Sequence, residues 1–208
     1  MCGKGTMTIQ PTRSDAVKNR RRIMLAARAV FAEEGMSAEM KVIAERAGVG
    51  VGTVYRNFAT KEGLVVAMIG DLMSEFRQAL EAVEDVEDVA EALVRLLATG
   101  WRMAEQSGGL FLALAHGGVD PRGLSDDLLK RVTGLIQRGI DRGTLRQDVS
   151  ARFMAEYVEA TIPGVYLQLR MVHGPDEAAE NCTRMLLGAM LAPGAEMEPL
   201  MVRWRSLS

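Results

Sequence analysis

The chain is short of the residues that build sheets, disulfide frameworks and metal centres. Aromatic residues make up only 5% of its 208 positions, whereas Ala, Leu, Met, Glu and Arg are plentiful, so an all-α fold is expected and an all-β one excluded. Only two cysteines occur, Cys2 and Cys182. One lies near the start and the other inside an apolar helical pattern, so neither a disulfide framework nor a metal knuckle is expected. The two histidines, His116 and His173, lack the i, i+4 histidine pairing and the carboxylate and thiol cluster of a metal site, and no metal ligand is assigned. There is no G-x-S-x-G elbow. Gly48 to Thr53 lacks the dinucleotide-loop spacing, and Gly3-Lys4-Gly5-Thr6 lacks the Walker spacing. No catalytic residue and no cofactor is therefore assigned, and an enzyme is not expected. No apolar run approaches the ~18 to 20 residues of a membrane helix, and the first residues lack the apolar core of a signal peptide. A cytoplasmic protein without a membrane partner is expected.

What is present is a charge asymmetry. The formal net charge is −2, yet the first 61 residues carry 11 Lys and Arg against 5 Asp and Glu, or +6, leaving −8 for the remainder. A basic head on an acidic body points to a small nucleic-acid-binding unit. Residues 1–13 show no periodicity and read as a flexible tail. Apolar spacing then predicts a helix over 14–34, with Val17, Ile23, Leu25, Ala26, Ala29, Val30 and Phe31 on its stripe and Gly35 as its stop. Two short helices follow, over 40–47 and 50–58, and a longer one from Lys61, capped by Thr60. Beyond an acidic connector, helices are expected over 87–106, 109–116, 125–142, 150–172 with an interruption at Pro163-Gly164, and 175–191. Pro193 and Gly194 end the pattern, and 195–208 reads as a C-terminal tail.

Residues 39–58 have the spacing of a helix-turn-helix. Val42, Ile43 and Ala47 face the core, Ala44 allows a close helix crossing, Gly48 permits a left-handed turn, and Val49 and Val54 plug the gap. That directs Gly50, Val51, Gly52, Thr53, Tyr55, Arg56 and Asn57 outward, small residues first and hydrogen-bonding ones after, as a helix entering the major groove requires. Arg20, Arg21 and Arg22 on the preceding helix form a candidate phosphate-facing patch.

Here the chain resembles the TetR family of transcriptional regulators, through Phe31-Ala32-Glu33-Glu34-Gly35, Ile43-Ala44-Glu45-Arg46-Ala47-Gly48-Val49 and Gly52-Thr53-Val54-Tyr55, with Phe58, Lys61, Glu62 and Leu64 at the usual spacing. The resemblance implies an all-helical homodimer with a DNA-binding domain over 14–62 and a regulatory and dimerising domain over 63–194. It also implies DNA contacts at Lys41, Val51, Gly52, Thr53, Tyr55, Asn57 and Lys61, with Thr53, Tyr55 and Lys61 at phosphates; Arg56 is a further candidate for a guanine edge or a phosphate. Two positions depart from the pattern. Met40 stands where the family commonly has a phosphate-binding Ser or Thr, and Gly50 replaces a frequent Ser, so anchoring falls to Lys41 and backbone amides.

In the regulatory part, Met68, Met73, Phe76, Trp101 and Met103 are candidates to line an apolar effector pocket. So are Phe111, Leu114, Tyr157, Thr161 and Tyr166. The last helices carry one apolar stripe at Met154, Val158, Ile162 and Val165, and another at Ala178, Cys182, Met185, Leu186 and Ala189, which suit a two-fold four-helix interface between copies. The expectation is a dimeric, ligand-responsive regulator of double-stranded operator DNA, most simply a repressor released by a small, largely apolar effector. The alternatives are an activator, a regulator without an inducer, or a helical ligand-binding protein that does not touch DNA.

Overall fold

The computed structural model describes residues 13–107 and 122–207. The chain divides into two compact units, Met1–Val65 and Val66–Ser208, a boundary three residues beyond the expected one.

In the first unit, α1 (Arg13–Glu34) begins within the stretch read as tail. Ile23, Met24, Ala26, Ala27, Val30 and Phe31 form its buried stripe. Leu25 and Val17, expected there, are exposed. Leu25 lies two residues from both Ile23 and Ala27, about half a turn around the helix, and Val17 stands well over a turn before the first buried position. A short 3₁₀ turn, Gly35–Ser37, leads into α2 (Met40–Ala47), and α3 (Val51–Asn57) follows. Gly48 ends α2 with φ 63° and ψ 39°, the left-handed conformation expected of it. Its N–H donates to the Glu45 carbonyl at 3.1 Å, and that of Val49 to the Ala44 carbonyl at 3.0 Å. These bonds satisfy two of the free carbonyls that every helix end leaves. Thr60 starts α4 (Lys61–Glu81) by accepting the Gly63 N–H at 3.0 Å.

The second unit contains the rest of α4, then α5 (Val89–Gln106), α6 (Arg122–Asp141), α7 (Ala151–Thr161), α8 (Leu167–His173), α9 (Pro175–Met190) and α10 (Met197–Arg205). The helix expected over 109–116 lies outside the described residues. Asp88 caps α5 by accepting the N–H groups of Ala90 and Glu91 at 2.9 and 3.2 Å. Buried on most of its surface, α5 is the hub of the core and packs against α6, α9 and α10. Where α6 meets it, Gly139 is required by space: a Cβ there would lie 2.7 Å from Leu145 and 2.9 Å from Val89. Two arginines of α6 and one just beyond its end fasten the acidic connector. Arg131 pairs with Glu84, while Arg138 and Arg142 each donate at 2.6 Å to the carbonyls of Glu84 and Glu87.

The interruption expected at Pro163-Gly164 is observed: α7 ends at Thr161 and α8 begins at Leu167, and Ile162–Tyr166 between them form a π-helical turn, which accommodates a residue that has no N–H to donate. One expectation is corrected. The tail expected over 195–208 is instead helical at α10, with Met201 and Trp204 buried in the core. Arg205 of α10 pairs with Glu180 at 2.7 Å and Glu198 at 3.0 Å, and Arg203 with Glu91 at 3.4 Å. Pro193 and Gly194, the latter at φ 88°, make a turn rather than an end. Among the described residues there is no strand, only an isolated antiparallel bridge between Leu145 and Leu191.

Candidate nucleic-acid interface

The outward face of α3 follows from what its inward face must do. Val54 and Phe58 are buried, fixing the helix against the head, and that turns Val51, Gly52, Tyr55 and Arg56 to the surface. Thr53 and Asn57 are half-buried between these faces. Arg56 donates to the Thr53 hydroxyl at 3.0 Å, and the Asn57 side-chain amide to the Thr53 carbonyl at 2.8 Å. Gly50, extended at φ −68° and ψ 145°, precedes the first turn.

The basic residues separate into two sets. Arg22, Arg20 and Lys61, all expected at phosphates, are engaged within the head. Arg22 reaches from α1 to the end of α2, donating to the Ala47 carbonyl at 2.7 Å and to that of Gly48 at 3.4 Å. Arg20 lies over the Phe58 ring, 4.5 Å from its centroid, and donates to the Asn57 carbonyl at 3.5 Å. Lys61 donates to the Met36 carbonyl at 2.7 Å and to that of Ala38 at 3.2 Å, closing the turn before α2. Arg46 is likewise held by Glu33, at 2.9 and 2.5 Å, and the same hydrogen bonds keep the Glu33 carboxyl below its ordinary range. Arg21 and Lys41, by contrast, are exposed and have no hydrogen-bond or ion-pair partner among the described residues. Met40 is buried, so the first residue of α2 packs inward rather than meeting solvent. The cations available to a polyanion thus include Lys18, which is likewise exposed and unpartnered among the described residues, Arg21, Lys41 and, tethered to Thr53, Arg56.

In the second unit, the expected pocket residues differ in their surroundings. Trp101 and Tyr166 come together with ring centroids 4.8 Å apart, both buried, and the Trp101 indole N–H donates to Thr183 at 2.6 Å. Tyr166 donates to Glu105, which also pairs with Arg170 at 3.2 Å; burial, and then the bond to Glu105, push the phenol well above its usual range. Met68, Met103 and Thr161 are buried, and Met73 and Phe76 are partly so. Tyr157 is instead exposed, stacked on Phe153 at 6.5 Å. Phe111, Leu114 and His116 lie outside the described residues. A surface cleft of about 650 Å³ lies elsewhere, bordered by Leu145, Arg146, Asp148, Leu191, Pro193 and Met197, and none of the expected pocket residues borders it.

The expected interface stripes are also divided. Met154, Ala178, Cys182 and Leu186 are buried in the chain's own core and are not available to a second copy. Burial raises the Cys182 thiol above its usual range. Val165, Met185 and Ala189 are exposed and Val158 is half-buried. The Ile162 side chain lies outside the described set. Phe153, 60% exposed, and Met185, 73% exposed, are the conspicuous apolar groups of this surface. Phe153 was legible as an exposed-face residue: it falls one position before Met154, off the buried stripe.

Comparison with known proteins bears on this arrangement. The family model of bacterial regulatory proteins, tetR family, matches residues 23–68. The HTH-type transcriptional regulator UidR of Escherichia coli K12 is 35% identical over 88 residues, 40% of this chain and 45% of that protein. The fatty acid metabolism regulator protein of Bacillus subtilis 168 is 27% identical over 152 residues, 67% of this chain and 77% of that one. The chain therefore spans a little under half the length of UidR. Among solved structures, CprB of S. coelicolor A3(2), described as a TetR family protein, superposes with a TM-score of 0.75 at 23% identity, covering 92% of this chain and 97% of that one. SmeT in complex with triclosan gives 0.64 at 22% identity, covering 86% and 95%. At such identities these two carry the fold alone.

Proposed function

The chain belongs to the TetR family of bacterial transcriptional regulators, and from that premise we propose that it is a ligand-responsive repressor. It binds a palindromic operator as a homodimer and leaves it when a small, largely apolar effector occupies the C-terminal helices. Its relatives bear the names of regulators, and it is not an enzyme.

The observation that carries the reading is the outward face of α3. Val51, Gly52, Tyr55 and Arg56 are exposed on a head whose first 61 residues carry a formal charge of +6, with Arg21 and Lys41 free to meet phosphates. An exposed helix of this composition suits a major groove, where its first residues meet base edges. The dimer is supported by exposed Phe153, Tyr157, Val165 and Met185, apolar surface that a second copy would remove from water. An apolar effector is supported by the names of neighbours, among them a gamma-butyrolactone receptor and a triclosan complex.

Release follows if the effector favours a dimer whose heads no longer match major grooves about 34 Å apart. An effector acts only through unequal affinity for the two arrangements, so operator DNA weakens effector binding by the factor that effector weakens operator binding. The test is a gel shift of the full chain against DNA surrounding its own gene, at two salt concentrations, with Arg56→Ala and Lys41→Ala for comparison. Saturable, competitor-resistant binding that falls with salt and with either substitution is expected. Binding indifferent to both substitutions would remove α3 and its surroundings as the contact surface, and a monomeric mass in light scattering at micromolar concentration would remove the dimer.

A further inference from the structure

We infer that Val51 reads the 5-methyl group of a thymine in each operator half-site, so that sequence choice at that base pair rests on an apolar contact. The inference rests on the DNA-binding reading above and adds the chemistry of one readout position.

Val51 opens α3 and is 38% exposed, although it belongs to no core. Its neighbours are Gly50 and Gly52, and a Cβ at either would have no atom within 4 Å. The isopropyl group is thus flanked by two positions without side chains, each with open space for a close approach. The nearest hydrogen-bonding side chains on the helix are tied to one another: the Thr53 hydroxyl accepts from Arg56, and the Asn57 amide donates to the Thr53 carbonyl. Gly50, Val51 and Gly52 themselves present no polar side chain at the start of the helix.

Duplex DNA is the occupant that fits, since residues 1–61 carry a net +6 and their exposed, unpartnered cations, Lys18, Arg21 and Lys41, complement phosphate. In the major groove each base pair shows a different edge. Adenine, guanine and cytosine offer donors or acceptors, while thymine adds a methyl group beside its single acceptor. A valine pressed against a polar edge removes water from it and returns no hydrogen bond, which is unfavourable. Against the thymine methyl the same valine buries apolar surface on both sides. Discrimination comes from reward at thymine and penalty elsewhere.

The experiment uses the full chain and random-sequence duplex DNA. Binding sites are enriched by selection, and each thymine of the resulting site is then replaced singly by deoxyuridine, which removes only the methyl group. One thymine per half-site is expected at which the replacement weakens binding about fourfold, the worth of one buried methyl, and about fifteenfold when both half-sites are changed. Val51→Ala is expected to fold as the parent does, because the side chain is not in the core, and to bind the thymine and uracil versions with equal affinity. Fourfold discrimination retained by Val51→Ala overturns the assignment, as does a site in which no methyl matters. Failure to enrich any duplex overturns the DNA-binding reading itself, a result distinct from these two.

Discussion

Replacing Lys61 with methionine separates a scaffold cation from a DNA contact. The ammonium donates to two carbonyls, those of Met36 at 2.7 Å and Ala38 at 3.2 Å, from a half-buried position at the start of α4. A hydrogen bond from a charged donor contributes about 1.5 to 3 kcal/mol. With one ammonium shared between two acceptors, and water able to reach part of the site, the loss should be about 2 kcal/mol. In a protein of this size that lowers the melting temperature by about 4 to 8 °C. Arg21→Ala and Lys41→Ala remove exposed, unpartnered cations, so their melting temperatures should stay close to that of the parent. Their effect belongs to binding: each phosphate left without its cation lowers the slope of log affinity against log salt by about 0.9, or about 1.8 across the two heads of a dimer. Thermal melts and fluorescence anisotropy over a series of salt concentrations read both quantities. If Lys61→Met left the melting temperature unchanged and lowered the salt slope, the lysine would be a phosphate contact and the reasoning would fail.

Gly139→Ala should destabilise the second unit by about 1 to 3 kcal/mol, because its Cβ would overlap Leu145 and Val89. Gly134→Ala on the same helix meets open space and should stabilise by about 0.5 to 1 kcal/mol; chemical denaturation of both variants checks the contrast, and a cost at Gly134 would refute it. Trp204→Ala should cost about 3 to 5 kcal/mol. Trp204→Phe should cost much less, since the buried indole N–H has no hydrogen-bond partner to lose among the described residues; equal losses in urea titrations would show that the N–H matters. Acid should loosen α10. Its hydrogen bonds from Arg205 hold Glu180 and Glu198 below their ordinary value of 4.5. A depressed carboxyl contributes stability that is present above its unfolded value and lost as pH falls through its folded one. In a Trp101→Phe background, Trp204 emission should therefore stay constant between about pH 6 and 8 and shift to the red only below about 4.5; a shift on raising the pH would contradict the pairing.

The parts of this fold that were legible in the sequence are those set by near neighbours. Gly48 needed a left-handed backbone, Thr60 stood one residue before a helix, and Val54 had to plug a short turn, all conditions within a few residues. The intramolecular partners of Arg22 and Lys61 were not legible because they are distant: each side chain reaches across 25 residues. A local signal did exist for Lys61. A cation in the first turn of a helix opposes the helix dipole and so calls for acceptors of its own. Likewise Met197, Leu200, Met201 and Trp204 repeat at helical spacing, and only the weight given to Pro193-Gly194 hid α10. For α7 and α9 the limit is one of principle. An apolar stripe reports that a face is buried, not whether the chain itself or a second copy buries it, so Cys182 and Met185, three residues apart, could not be told apart.

Gly48 is fixed twice, by its backbone angle and by the Arg22 guanidinium, 3.0 Å from where a Cβ would sit. Residues 22 and 48 are therefore coupled: a side chain at 48 would push the Arg22 guanidinium away from the Ala47 carbonyl, in addition to its strain on the left-handed backbone. The positions 51, 52, 55 and 56 carry no such linkage. A duplicated gene of this protein would be able to drift through new operator codes by single substitutions on the open face of α3, each step leaving a folded regulator, while the clamp behind it stayed frozen.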